Sequence, residues 1–100
     1  MLYITQLVYL IEGQEKAFDQ FEAIAIPAIA RYNGKLLLRV RPRKEDLIEL
    51  NMDAPYEIHL VVFDSERDFK AFGQDEERKK FLHLKEESIR SVLMIQGHKM

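Results

Sequence analysis

The chain reads as one α+β domain of βαββαβ order, a four-stranded antiparallel sheet with its helices on one face. Three observations predict this. Four stretches rich in aliphatic, β-branched and aromatic residues, at 2–10, 35–41, 56–63 and 91–97, have the character of strands. Helical periodicity fills the gap between the first and second and the gap between the third and fourth. At 100 residues the chain also has the size of a single domain with a single core.

Leu2 to Leu10 is apolar on both faces and stops at Glu12-Gly13. From Gln14 to Tyr32 the residues Phe18, Phe21, Ala25, Ala28 and Tyr32 recur at three- and four-residue steps, the stripe of an amphipathic helix. Pro27 lies inside that helix. It lacks an N–H and crowds the carbonyl four residues earlier, so a kink or break near Ala23 to Ile26 is expected. Asn33-Gly34 supplies the φ > 0 position that ends a helix, and Lys35 to Arg41 follows as the second strand. Alternation puts Leu36, Leu38 and Val40 on one of its faces and Lys35, Leu37, Arg39 and Arg41 on the other.

Residues 42 to 55 contain the turn formers Pro42, Asn51, Asp53 and Pro55, yet Leu47, Ile48, Leu50 and Met52 are too apolar for a freely solvated loop. The segment is expected to be an arm that packs on something, with a partner chain as one candidate. Tyr56 to Phe63 forms the third strand, with Tyr56, Ile58, Leu60 and Val62 on one face and Glu57, His59, Val61 and Phe63 on the other. Ser65 and Asp68 make a capping box with Asp in place of Glu, opening a short helix that carries Phe69 and Phe72. After Gly73, Asp75 caps a second helical segment with Glu76 and Glu77 in its first turn and Phe81, Leu82, Leu84 and Ile89 on its apolar side. Ser91 to Gly97 alternates and ends in glycine, which makes the fourth strand.

Two helices covering one sheet face would bury Leu36, Leu38 and Val40 with Ile58, Leu60 and Val62. The opposite face would still carry Tyr3, Leu7, Tyr9, Leu37, Val61, Phe63, Leu93 and Ile95. Burial is worth about 1.5–3 kcal/mol for each large apolar side chain, so this is more apolar surface than a monomer leaves in water. A homodimer with the two sheets face to face is the expected remedy.

Composition narrows the function classes. The formal net charge is −2, from 15 basic and 17 acidic residues, and the densest basic cluster, Arg39, Arg41, Arg43 and Lys44, runs straight into Glu45 and Asp46. No nucleic-acid partner is expected. Without cysteine there is no disulfide, thiolate nucleophile or thiolate metal site. His59, His83 and His98 show no metal-ligand spacing, Gly13, Gly34, Gly73 and Gly97 are isolated, and no Gly-x-Ser-x-Gly elbow occurs. No metal and no cofactor is therefore expected. The N-terminus lacks the pattern of a signal peptide and no apolar run reaches about 18 residues, so the expectation is a cytoplasmic protein with no membrane partner.

The stretch Arg31-Tyr32-Asn33-Gly34-Lys35-Leu36-Leu37-Leu38-Arg39 resembles the helix end, glycine turn and second strand of the DUF1330-like proteins, a family of the dimeric α+β barrel superfamily. Val62-Phe63-Asp64-Ser65 is similar to its strand-to-helix phrase, which Phe69, Phe72 and residues 75–78 continue. The resemblance implies a ferredoxin-like fold, strand order 4-1-3-2, and a barrel closed across a dimer. It leaves the chemistry open, because that superfamily holds cofactor-independent monooxygenases, isomerases, ligand sensors and proteins of no known role.

The mixed faces of the second and third strands put Arg39 and His59, with Arg41 and Glu57 toward the rim, on the expected inner barrel surface. Tyr3, Thr5 and Tyr9 join them from the first strand. Polar groups converging on an apolar concavity are the usual make-up of a small-molecule site. An arginine can hold a carboxylate through two parallel hydrogen bonds, and a histidine can move a proton near neutral pH. His59 and Arg39 are accordingly the candidate catalytic pair, and Arg39, Arg41, Glu57, His59, Tyr3 and Thr5 the candidate ligand-binding set. The plainer alternative is a cross-strand Arg39–Glu57 ion pair beside a satisfied interface histidine. Three functions fit these residues: a dimeric binder of a small organic molecule, carboxylates included; a cofactor-independent monooxygenase or isomerase using the same pocket; and a structural dimer with a filled barrel.

Overall fold

The computed structural model describes residues 1–100, which form β1 (Leu2–Leu10), α1 (Glu15–Arg31), β2 (Gly34–Val40), a 3-10 turn (Lys44–Asp46), β3 (Glu57–Phe63), three short helices α2 (Glu66–Gly73), α3 (Glu76–Lys80) and α4 (Leu82–Ser88), and β4 (Ile89–Gly97). The strands make one antiparallel sheet in the order β2-β3-β1-β4, as expected. No helix is long and apolar enough to cross a membrane.

Local chemistry explains most boundaries. The Ser65 hydroxyl accepts from the Asp68 N–H at 3.1 Å, and the Asp75 carboxylate accepts from the Arg78 N–H at 2.8 Å, so α2 and α3 both begin on the predicted caps. The left-handed residue after α1 is Asn33, at φ 56°, rather than its neighbouring glycine. Gly34 is needed for a different reason: a Cβ there would lie 2.6 Å from both Ile29 Cγ2 and Phe63 Cε1. α1 is a single helix through Pro27, against the expected break. Ala23 and Pro27 are both exposed, so the carbonyl that Pro27 leaves unbonded sits on the solvent side.

The core lies between the sheet and α1, with Leu2, Ile4, Ile29, Val61 and Phe63 buried together and Phe69 and Phe72 packed against Phe63. Opposed residues on paired strands share a face. The register therefore assigns Ile4, Gln6 and Val8 to the helix side together with Val61, His59 and Glu57. This reverses the expected orientation of β3, because Glu57, His59, Val61 and Phe63 face the helices while Ile58, Leu60 and Val62 lie on the open face.

Strand β2 was expected to alternate regularly, and it does not. Leu36 pairs with Val61 but Leu38 pairs with Leu60, so a bulge at Leu37 breaks the alternation. Leu36 joins the core, whereas Leu38 and Val40 turn to the open face and Arg39 stands on the helix side opposite His59.

The open face then carries Tyr3, Thr5 and Leu7 of β1, Leu38 and Val40 of β2, Ile58, Leu60 and Val62 of β3, and Leu93 and Ile95 of β4. Leu38, Val40, Leu93 and Ile95 are each 40–54% exposed. The 42–55 arm is tied down at its far end, where the Tyr9 hydroxyl donates to the Asp53 carbonyl at 3.0 Å and the Tyr56 N–H donates to the Val8 carbonyl at 2.7 Å. Ile48 packs on nothing in this chain, and Leu50 and Met52 are also exposed.

Candidate functional site

On the helix side of the sheet, a cavity of about 140 Å³ opens between α1, the short helices and the central strands. Its wall is apolar except at five places: Gln6 on β1, Glu22 on α1, His59 on β3, Arg78 on α3 and Lys85 on α4. Ile4, Val8, Phe21, Leu36, Val61 and Phe72 are among the apolar residues that complete it.

His59 is buried, and its Nε2 lies 2.7 Å from Glu57 Oε1. Glu57, 1% exposed, also accepts from Arg39 through Nε at 2.7 Å and Nη2 at 3.1 Å, and from Arg41 through Nε at 3.0 Å and a second, closer contact from Nη2. Burial by itself would raise the Glu57 carboxyl. The hydrogen bonds from Arg39, His59 and Arg41, with the Arg39 charge, outweigh it and hold the group at about 2 against an ordinary 4.5. Because Glu57 is ionised, Nε2 of His59 donates its hydrogen to Glu57 Oε1.

Glu22 behaves in the opposite sense. Burial among apolar neighbours raises its carboxyl, and the charges of His59, Arg39 and Arg78 offset that only in part. Arg78 is the most unusual group in the wall. Its guanidinium lies over the rings of Phe21 and Phe72, 5.7 and 5.2 Å from their centroids, and its Nε is shielded from solvent without a hydrogen-bond partner. A buried donor left in that state costs about 1–3 kcal/mol, and more when the group is charged. Desolvation accordingly lowers the Arg78 pKa.

Asp75, three residues before it, does not relieve it. It is taken by the Arg31 guanidinium at 3.0 Å, the Tyr32 hydroxyl at 2.7 Å and the backbone N–H of Arg78. The Tyr32 hydrogen bond is the largest of the effects that hold the Asp75 carboxyl at about 2.

Of the residues singled out from the sequence, only His59 lines this cavity. Arg39, Arg41 and Glu57 do meet, as the expected ion pair with a second arginine added, but on the rim, in an open depression shared with Asp19 and Ala23. Tyr3 and Thr5 lie across the sheet from them, beside Ile95 and His98 in a separate shallow depression. The expected constellation on one inner barrel surface is thus divided by the sheet. The reversal of β3 and the bulge at Leu37 are the cause.

Gln6, Glu22, Arg78 and Lys85 were not picked out in advance. Glu22 had a legible signal, since it follows Phe18 by four residues and precedes Ala25 by three on the apolar stripe of α1. Arg78 and Lys85 sit in ordinary charged helix sequences, and only the tertiary fold brings them to the cavity.

No protein-family model matches the chain, and no curated protein matches it in sequence. Solved structures do resemble it. A protein of unknown function from Rhodopseudomonas palustris superposes with a TM-score of 0.81 at 13% identity, over 99% of this chain and 82% of that one. An uncharacterised NIPSNAP domain protein from Burkholderia xenovorans gives 0.69 at 9% identity over 100% and 95%. A dimeric ferredoxin-like protein of unknown function from Jannaschia sp. CCS1 gives 0.71 at 16% over 98% of each chain. At these identities the likeness is one of fold, and the fold is ferredoxin-like α+β.

Proposed function

We propose that this chain is a homodimeric domain of the dimeric α+β barrel type that binds a small organic molecule. The binding place in this reading is the cavity between sheet and helices, not the space between two sheets. The observation that carries it is the cavity itself: an interior space with His59, Gln6, Glu22 and Arg78 converging on an otherwise apolar wall. A well-packed core has few voids larger than a water molecule. An engineered apolar cavity of about 150 Å³ accommodates benzene, which sets the size of ligand that about 140 Å³ can take. Arg39, which earlier suggested a carboxylate ligand, already forms its bidentate pair with Glu57 and no longer supports that choice.

The dimer rests on the open face. Its exposed leucines, valine and isoleucine form a continuous apolar surface, and a second copy of the same face is its natural cover. The DUF1330-like resemblance belongs to this proposal as well, carried by the short motifs quoted above.

Methyl-resolved spectra titrated with small organic fragments test the binding reading. Shifts are expected at Ile4, Val8, Val61 and Val92, the methyl-bearing wall of the cavity. If fragments move only the open-face methyls of Leu38, Leu60 and Ile95, the site has been placed on the wrong side of the sheet. A second reading, turnover in the same cavity, is favoured by the Glu57–His59 pair, which anchors an imidazole in the cavity wall through its Nε2. Deuterium exchange into a bound ligand that is lost in His59→Gln would distinguish it from binding alone.

A further inference from the structure

We propose that the cavity selects an organic monoanion, holding its charged group against Arg78 and its apolar body among the aliphatic and aromatic wall. The inference rests on the small-molecule reading above and adds the charge class of the ligand and the residue that reads it.

Three observations support it. The first is the unpartnered Arg78 Nε, a shielded donor in a residue that lines the cavity, with no protein acceptor. Asp75, whose carboxylate takes the backbone N–H of Arg78, directs its remaining hydrogen bonds to Arg31 and Tyr32. The second is the charge of the wall. Arg78 and Lys85 face Glu22 alone, because Glu57 lies outside the cavity and is matched by Arg39 and Arg41. Two cations against one carboxyl leave an excess of one positive charge, which one anion compensates.

The third observation is the way the guanidinium is mounted. Its central carbon lies over Phe21 and Phe72, both also in the cavity wall, so the cation sits beside apolar surface. An acceptor and a hydrocarbon group on one small molecule would thus be met by adjoining surfaces. The apolar surroundings of the shielded Nε strengthen a charge-assisted hydrogen bond there and penalise a ligand that cannot supply an acceptor.

Isosteric pairs make the test. Isovalerate and benzoate are titrated against isovaleramide and benzamide by calorimetry, with the Arg78 Nε–Hε resonance followed in parallel. The expected result is that each carboxylate binds at least about tenfold more tightly than its amide, the lower end of what a hydrogen bond to a charged group contributes. The Arg78 resonance should shift with the acids, and Arg78→Met should bring the ratio near one. The substitution keeps the backbone N–H that caps α3 and exchanges a long guanidinium donation to the Gly73 carbonyl, at 3.5 Å, for a thioether beside the same rings, so the variant is expected to stay folded, which its melt checks. Arg78→Lys should keep part of the preference and serves as the second probe of the same position.

Equal affinities for acid and amide in the parent protein would overturn the anion inference while leaving the cavity as a binding site. An acid preference that survives Arg78→Met would overturn the assignment to Arg78. Failure of every probe to bind would remove both the inference and the reading beneath it.

Discussion

His59 Nε2 lies 2.7 Å from Glu57 Oε1, joining two residues on the same face of β3, one in the cavity wall and one on the rim. Glu57 is also the only acceptor that Arg39 finds, so one carboxylate organises the whole helix-side edge of β2 and β3. Glu57→Gln should lower stability by about 3 kcal/mol, the lower end of the range for breaking a buried ion pair, because both arginines keep some contact with water. Denaturant unfolding of parent and variant at neutral pH checks this.

The same group sets an acid limit. Its folded-state pKa, about 2, is below its ordinary 4.5, so its contribution is fully present above 4.5 and is lost as pH falls toward 2. Asp75 follows the same sign between 3.8 and about 2. Unfolding free energy measured across this interval should drop steeply in the parent. In Glu57→Gln the slope should be visibly shallower.

Glu22 should show the reverse. A carboxyl raised by burial binds its proton more tightly in the folded state, so it costs stability as pH rises above its ordinary 4.5. Glu22→Gln is expected to be more stable than the parent at neutral pH, with the gain growing from pH 4.5 upward. A gain independent of pH would point to packing rather than charge.

Gly34→Ala would force a methyl to within 2.6 Å of Ile29 and Phe63, and overpacking of that kind costs about 1–3 kcal/mol. Combining it with Ile29→Ala should recover part of the loss, because the two changes compete for one space. Thermal melts of the four proteins in that cycle give the coupling directly.

Leu60→Lys places a charge at the middle of the open face, between Thr5 and Leu38 across the neighbouring strands. Sedimentation should show the parent as two chains of 11.8 kDa and the variant as one. A parent that sediments as a single chain at micromolar concentration would falsify the dimer.

The order of elements could be read from the chain because it rests on local periodicity, caps and turn residues, whereas the strand order was only what the resemblance implied. The side of the sheet that each residue faces could not. For β3 the pattern offered one wholly apolar face and one mixed face, and hydrophobicity alone assigns the apolar one to the helices. The structure spends it on the open face and lets Arg39 and Arg41 neutralise Glu57 beneath the helices. For β2, alternation was applied across a bulge that has no signature in three consecutive leucines. Arg39, Glu57 and His59 were therefore correctly brought together and wrongly located. Arg78 carried no mark in the sequence, since an arginine in a charged helix looks the same whether or not its Nε finds an acceptor.

The bulge also has a meaning for chain length. β2 holds one leucine more than its ladder with β3 requires, and removing any one of Leu36, Leu37 and Leu38 gives the same shorter chain. That chain can pair regularly with Arg39 still beneath the helices and Val40 still on the open face. Loss of a residue here is a silent indel for the architecture, while a gain on either side of the run would turn the rest of the strand over.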